Sequence, residues 1–198
     1  MITIGITGGI GSGKSTVCKI FELLEIPIFE ADRVAKELIN SNANLKNEII
    51  KLYGKNIYTQ NGLINRKKFA EIIFNDKLEL SRVNNLVHPA VRNEYKIWLQ
   101  KQNTKYIIHE AAILFESGFY KMMDYTILVS APEDQRIKRV VKRDNATESE
   151  VKERIARQWS DEQKRKLASV EIKNDNRNII IPQIIKIDNQ IKKYGKIW

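Results

Sequence analysis

Ile2-Thr3-Ile4-Gly5-Ile6-Thr7-Gly8-Gly9-Ile10-Gly11-Ser12-Gly13-Lys14-Ser15-Thr16 opens the chain and decides its fold. A short β-branched run ends in a glycine-rich turn. A helical pattern follows from Lys14 to about Leu24, with Val17, Ile20, Phe21 and Leu24 three and four residues apart. Gly8 to Ser15 fit G-x-x-x-x-G-K-[ST], in the strand–turn–helix context that this motif requires. Gly8, Gly9, Gly11 and Gly13, with Ser12 between the last two, let backbone N–H groups converge on phosphate oxygens where a Cβ would obstruct them. The start of the helix adds the positive end of its dipole. Lys14 supplies a mobile cation for β- and γ-phosphates, Ser15 a hydroxyl for Mg²⁺, and Thr16 a second hydroxyl near the α-phosphate.

Outward from the loop, Ile26-Pro27-Ile28-Phe29 predicts a second strand ending near Asp32. Tyr106-Ile107-Ile108 and Tyr125-Thr126-Ile127-Leu128-Val129 are continuous apolar runs, as in parallel strands buried on both faces. Val170-Glu171-Ile172 predicts a last short strand. Helices are expected from Pro132 to about Arg143 and over 179–193. Two more should start near 148 and 161, where Thr147 with Glu150 and Ser160 with Gln163 have capping-box spacing. Strands alternating with helices predict an α/β fold with a three-layer parallel sheet. Residues 32–103 are mostly helical by their apolar spacing and too long for an ordinary crossover, so they read as an inserted helical subdomain. Pro89 within that region predicts a helix start, with His88 as its cap or, alternatively, a general base.

The chain has 198 residues, 42% of them hydrophobic and 29% charged, an ordinary balance for a globular protein. No apolar run approaches the length of a membrane-spanning helix, and the opening residues lack a signal-peptide pattern. One cysteine, Cys18, fits a reducing cytoplasmic compartment and reads as a small core residue. The net charge of +10 is spread over scattered lysines, which argues against nucleic acid as the main partner. Trp98, Trp159 and Trp198 show no base-stacking spacing, and two histidines with one cysteine make no transition-metal site.

The phosphate loop alone does not separate a GTPase, a motor ATPase and a small-molecule kinase. The Asn-Lys-x-Asp and Asp-x-x-Gly motifs of GTPases are missing, and the chain is short for a motor. Asp32 lies just past the second strand, where an open α/β sheet places its ligand crevice, and could accept the proton of an attacking hydroxyl. It is equally a good helix N-cap. Arg139 and Arg143 are four apart on one helix face, either a phosphate clamp or a solvated basic face.

These residues together resemble the dephospho-coenzyme A kinases over nearly the whole chain. Gly5 to Thr16 are similar to that family's phosphate loop, and Ala31-Asp32 to its Asp-Ala-Asp. Gly62-Leu63-Ile64-Asn65-Arg66 resembles its Gly-x-Leu/Ile-Asp/Asn-Arg turn, and His88-Pro89 with Arg92 its His-Pro helix start. Ile113-Leu114-Phe115-Glu116-Ser117-Gly118 is similar to its Leu-Leu-Phe-Glu segment. Gln135 through Arg143-Asp144, then Arg154-Ile155 and Gln158, resemble its lid, and Asn174 matches the asparagine after its last strand.

The resemblance implies a P-loop kinase with a nucleotide core (about 1–31, 104–140 and 169–198), a helical coenzyme A subdomain (about 32–103) and a lid (about 141–168). It implies phosphorylation of the ribose 3′-hydroxyl of 3′-dephospho-coenzyme A by ATP with Mg²⁺. Another small-molecule kinase, acting on a nucleoside, nucleotide or sugar acid, is the alternative. Asp32, Lys14, Arg139 and Arg143 would be catalytic, Gly8, Gly9, Gly11, Ser12, Gly13, Lys14, Ser15, Thr16 and Asn174 would hold ATP, and Asp32, His88, Arg92 and Glu116 would face the acceptor. Glu110-Ala111-Ala112 stands where the family has Asp-x-Pro, so Glu110 is a second candidate Mg²⁺ ligand beside Ser15. Glu30 replaces the first Asp of Asp-Ala-Asp, and Ala168-Ser169 replaces Ala-Asp.

Overall fold

The computed structural model describes residues 1–197; Trp198 lies outside the described residues. The chain divides into two compact units, Met1–Glu30 with Gln102–Trp198, and Ala31–Lys101. The first unit carries the strands β1 (Ile2–Thr7), β2 (Ile28–Glu30), β3 (Tyr106–Glu110), β4 (Tyr125–Ser130) and β5 (Val170–Lys173). They form one parallel sheet in the order β2-β3-β1-β4-β5. Ile4 stands at its centre, in register with Ile108 on one side and Tyr125 on the other. Because every strand runs the same way, the phosphate loop after β1, Glu110 at the end of β3 and Asn174 after β5 emerge at one edge of the sheet.

Helices of this unit are α1 (Lys14–Leu23), α6 (Glu133–Asp144), α7 (Glu148–Ala156), α8 (Asp161–Arg165) and α9 (Ile180–Tyr194). Successive strand residues point to opposite faces. On one face Ile4, Ile6, Tyr106, Ile108, Ile127, Val129 and Ile172 pack in one cluster with Val17, Cys18 and Phe21 of α1 and Ile184, Ile187 and Ile191 of α9. The residues between them, such as Gly5 and His109, face the other way. A Cβ on Gly5 would overlap Leu114, so the segment after β3 lies close against that face. His109 is sandwiched there between Phe29 and Phe119, with ring centroids at 5.3 and 4.1 Å.

The second unit holds α2 (Ala31–Ser41), α3 (Ala43–Tyr53), α4 (Arg66–Asn75) and α5 (Lys77–Gln100). Asn42, Asn65 and Asp76 each accept a backbone N–H near the start of the helix that follows. Between α3 and α4 a turn through Gly62, at φ 73°, closes on an antiparallel bridge from Tyr58 to Ile64.

Three expectations are corrected. The second strand starts at Ile28 rather than Ile26, because the Ile26 N–H turns back to the Phe21 carbonyl at the end of α1. No helix begins at Pro89: α5 runs unbroken through it. The four-residue spacing of Val83, Val87, Val91 and Tyr95, all buried, gives the helix a continuous packed face that outweighs the hydrogen bond proline removes. His88 is therefore mid-helix and caps nothing. Both capping boxes, Thr147 with Glu150 and Ser160 with Gln163, form reciprocal bonds at the starts of α7 and α8. Cys18 is buried in the core, where burial pushes its thiol well above the usual range.

Candidate active site

β1 delivers the chain into the loop and α1 takes it out. Gly13 is the N-cap of α1 at φ 95°, a left-handed conformation that side chains rarely adopt. No side chain caps α1, and its first turn contains no acid. The Thr16 N–H turns back to the Gly13 carbonyl, and the N–H groups of Lys14 and Ser15, with the positive dipole end, are left to an anion. The loop is braced from behind: the Asn174 amide donates to the Ser12 carbonyl at 2.8 Å, and the Ser12 N–H donates to the Gly9 carbonyl at 3.0 Å.

Residues 8–16 line a cavity of about 440 Å³, together with Ala112, Arg139, Val140, Arg143 and Gln158. That is within the usual size for a small-molecule site, roughly 300–1,000 Å³. Lys14 reaches across to form a salt bridge with Glu110 at the end of β3, both side chains largely sheltered from solvent. Ser15, one residue further along α1, is exposed on the cavity wall.

α6 presents Arg139 and Arg143 to the same cavity. Their environments differ. Arg139 donates to the Asn174 carbonyl and the Asn176 side chain, both at 3.0 Å, to Gln135 at 3.2 Å and to the Gly11 carbonyl at 3.4 Å. Arg143 is largely exposed and bonds its neighbour Asp144 at 2.7 and 3.0 Å. Asp144 in turn accepts from Arg154 of α7 at 3.0 Å, and these cations hold its carboxyl below the usual range.

The other expected residues are not among the described residues that line this cavity. Glu116 accepts the Trp159 N–H at 3.0 Å and stands 3.3 Å from Lys164, whose side chain is fully buried. Burial pushes the Lys164 ammonium below its ordinary range, and Glu116 pulls it back up. In the helical unit, Asp32 is in the first turn of α2, partly buried. His88 and Arg92 are one turn apart on α5, and burial lowers the His88 pKa. Trp98 stacks on Tyr95. Sequence reasoning missed Arg136, which is buried under the loop; its signal is a charge on the apolar stripe of α6, four residues before Val140.

A parallel sheet in this order, with a strand–loop–helix phosphate cradle and basic residues converging on it, is the architecture of a P-loop kinase. The family model described as dephospho-CoA kinase matches residues 2–179. A Bacteroides fragilis dephospho-CoA kinase is 37% identical over 187 residues, covering 94% of this chain and 91% of the relative. Among solved structures, a dephospho-CoA kinase from Campylobacter jejuni superposes with a TM-score of 0.71 at 29% identity, covering 98% of each chain. TT1252 from Thermus thermophilus superposes with a TM-score of 0.78 at 32% identity, covering 87% of this chain and 88% of that one. The chain belongs to the dephospho-CoA kinase family.

Proposed function

We propose that this protein transfers the γ-phosphoryl group of ATP to the ribose 3′-hydroxyl of 3′-dephospho-coenzyme A, giving coenzyme A and ADP. The observation that carries the reading is the family match across residues 2–179 on a chain whose phosphate loop, Lys14, Arg139 and Arg143 share one cavity. Phosphoryl transfer passes through a loose transition state, so positioning and charge neutralisation do most of the work.

In this reading backbone N–H groups of the loop cradle the β- and γ-phosphates, apart from those of Ile10, Ser12 and Thr16, which bond Gln158, Gly9 and Gly13. Lys14 leaves Glu110 and follows the γ-phosphoryl group. Arg143, held by an exposed neighbour, turns to the phosphates, while Arg139 keeps the loop after β5 in place beside the nucleotide. Asp32 orients the acceptor hydroxyl and takes its proton as the 3′-oxygen bonds to the γ-phosphorus and the bond to the β–γ bridging oxygen breaks. His88 and Arg92 face the acceptor from α5. Asn174 serves the nucleotide through the Ser12 carbonyl, and Glu116 serves the acceptor side by fixing Lys164 and the Trp159 peptide.

The donor set near the loop, a serine hydroxyl and one carboxylate, fits Mg²⁺, which binds through one or two protein oxygens plus phosphates and water. Ser15 and Glu110 would hold it, and bound there it would neutralise phosphate charge. Residues 141–168 would act as the lid, and the cytoplasm would be the compartment. Among the described residues no helix is long and apolar enough to cross a membrane.

An ADP-release assay with ATP and Mg²⁺ tests the proposal, setting 3′-dephospho-coenzyme A against a panel of nucleosides, nucleotides and sugar acids. The fastest turnover is expected with 3′-dephospho-coenzyme A. Much faster turnover of another acceptor would assign the chain to a different small-molecule kinase.

A further inference from the structure

The peptide of Ile10, at the third position of the phosphate loop, is held on both sides by side chains from outside the loop. Its N–H donates to the Gln158 side-chain oxygen at 2.8 Å, from the turn between α7 and α8. Its carbonyl accepts from Nε of Arg136 at 3.0 Å, from α6. Arg136 is 5% exposed, and its guanidinium reaches Asp161 at the start of α8 at 3.4 Å. The guanidinium also lies against Gly9: a Cβ there would fall on Nη2 and Cζ of Arg136. Gly9 is not in the left-handed region. The atoms that a side chain there would meet first are those of the guanidinium.

Arg136 differs from its two neighbours on α6. Arg139 and Arg143 line the cavity; Arg136 is not among the described residues that do. A buried guanidinium tied to a loop carbonyl and a carboxylate is anchored, because its charge is compensated and its donors are used. The loop, by contrast, is rich in glycine and would sample many shapes by itself. Ordering it only when nucleotide arrives would subtract from the affinity for nucleotide.

We propose that Arg136 is a positioning residue for the phosphate loop. From outside the cavity it fixes the Ile10 peptide against Gln158 and fills the space beside Gly9, so that the loop is set to receive a triphosphate before one binds. The inference rests on the reading of residues 8–16 as a nucleotide site, and it is independent of the acceptor.

The test is ATP affinity by titration calorimetry with Mg²⁺ and no acceptor, together with the melting temperature of the empty protein. Four proteins are compared: wild type, Arg136→Ala, Gly9→Ala and the double variant. Losing a charge-assisted hydrogen bond that orders the loop should weaken ATP binding about tenfold or more in Arg136→Ala. Gly9→Ala should weaken it by a similar factor. The double variant should be no more than about threefold weaker than Arg136→Ala alone, because the new methyl enters the space the guanidinium left. A merely structural role would lower the melting temperature, leave ATP affinity of the folded protein unchanged and give additive effects. If Arg136→Ala does not fold, Arg136→Lys keeps the charge but cannot reach both partners, and a loss of about threefold or more is expected. Wild-type affinity in whichever Arg136 variant folds, or additive losses in the double variant, would overturn the proposal. Failure of the wild type itself to bind ATP would instead remove the nucleotide-site reading.

Discussion

Lys14 of the phosphate loop is paired with Glu110 at the end of β3, so the cation proposed to serve the γ-phosphate is held by a carboxylate when no anion is present. The pairing presents Lys14 without leaving its charge uncompensated in a sheltered site. In the proposed reaction it also makes Glu110 the group released when Lys14 moves to a phosphate. Lys14→Ala is expected to lower kcat by about 10²–10³-fold, the scale of losing one preorganised electrostatic contact to developing charge. Glu110→Gln should instead raise the Mg²⁺ concentration needed for half-maximal ATP binding, measured by calorimetry across a Mg²⁺ series. An unchanged Mg²⁺ dependence would confine Glu110 to holding Lys14.

Asp32 lies within the first turn of α2, where a carboxylate gains from the helix dipole. Asp32→Asn separates that role from catalysis. A dipole contribution is worth about 0.3–1 kcal/mol, so the melting temperature should move little. Loss of a base should cost about 10²–10³-fold in kcat, at the lower end for a loose transition state. ATP affinity should hardly change. A kcat within a few-fold of wild type would put the base elsewhere.

Arg139 and Arg143 make a contrast within one helix. Arg139 ties α6 to Gly11, Asn174 and Asn176, whereas Arg143 bonds the adjacent Asp144. Arg143→Ala should reduce kcat at least tenfold while stability stays within about 0.5 kcal/mol of wild type, as for other exposed substitutions. Arg139→Ala should lower both, with a stability loss of about 1–3 kcal/mol from acceptors left without their donor. Equal stability losses in the two variants would contradict this division.

What the sequence disclosed follows a physical pattern. The loop was legible because its chemistry is local: glycines, lysine and serine at fixed spacing between a strand and a helix. The capping boxes at Thr147 and Ser160 were legible for the same reason, each closing within four residues. Pro89 misled because a local rule for proline was applied where a long-range one decided, the packed face of Val83, Val87, Val91 and Tyr95. Arg136 was overlooked because its partners, Ile10 and Asp161, are remote in sequence. Glu116 lies in the segment that resembles the family's Leu-Leu-Phe-Glu, but its pairing with Lys164 depends on α8 folding back to it.

His109 sets a pH dependence. Burial between Phe29 and Phe119 pushes its pKa down to about 3 from an ordinary 6.5. The folded state therefore keeps the ring neutral while the unfolded chain takes up a proton below pH 6.5. Stability is fully present above that pH and is lost as pH falls toward 3. Between pH 7 and 5 the loss from this one group is about 2 kcal/mol. Denaturant titrations at both pH values should show that drop in wild type and a drop smaller by this amount in His109→Gln. Parallel curves would mean that the ring is protonated in the fold.

The central claim is tested most directly by identifying the product. Protein, Mg²⁺, ATP and 3′-dephospho-coenzyme A are incubated together, and the product is resolved by liquid chromatography with mass spectrometry and phosphorus NMR. The expected result is a species that co-elutes with coenzyme A, carries one added phosphate as a 3′-monoester, and forms in step with ADP. ADP release without a phosphorylated acceptor, or a phosphate at any position other than the 3′-oxygen, would contradict it.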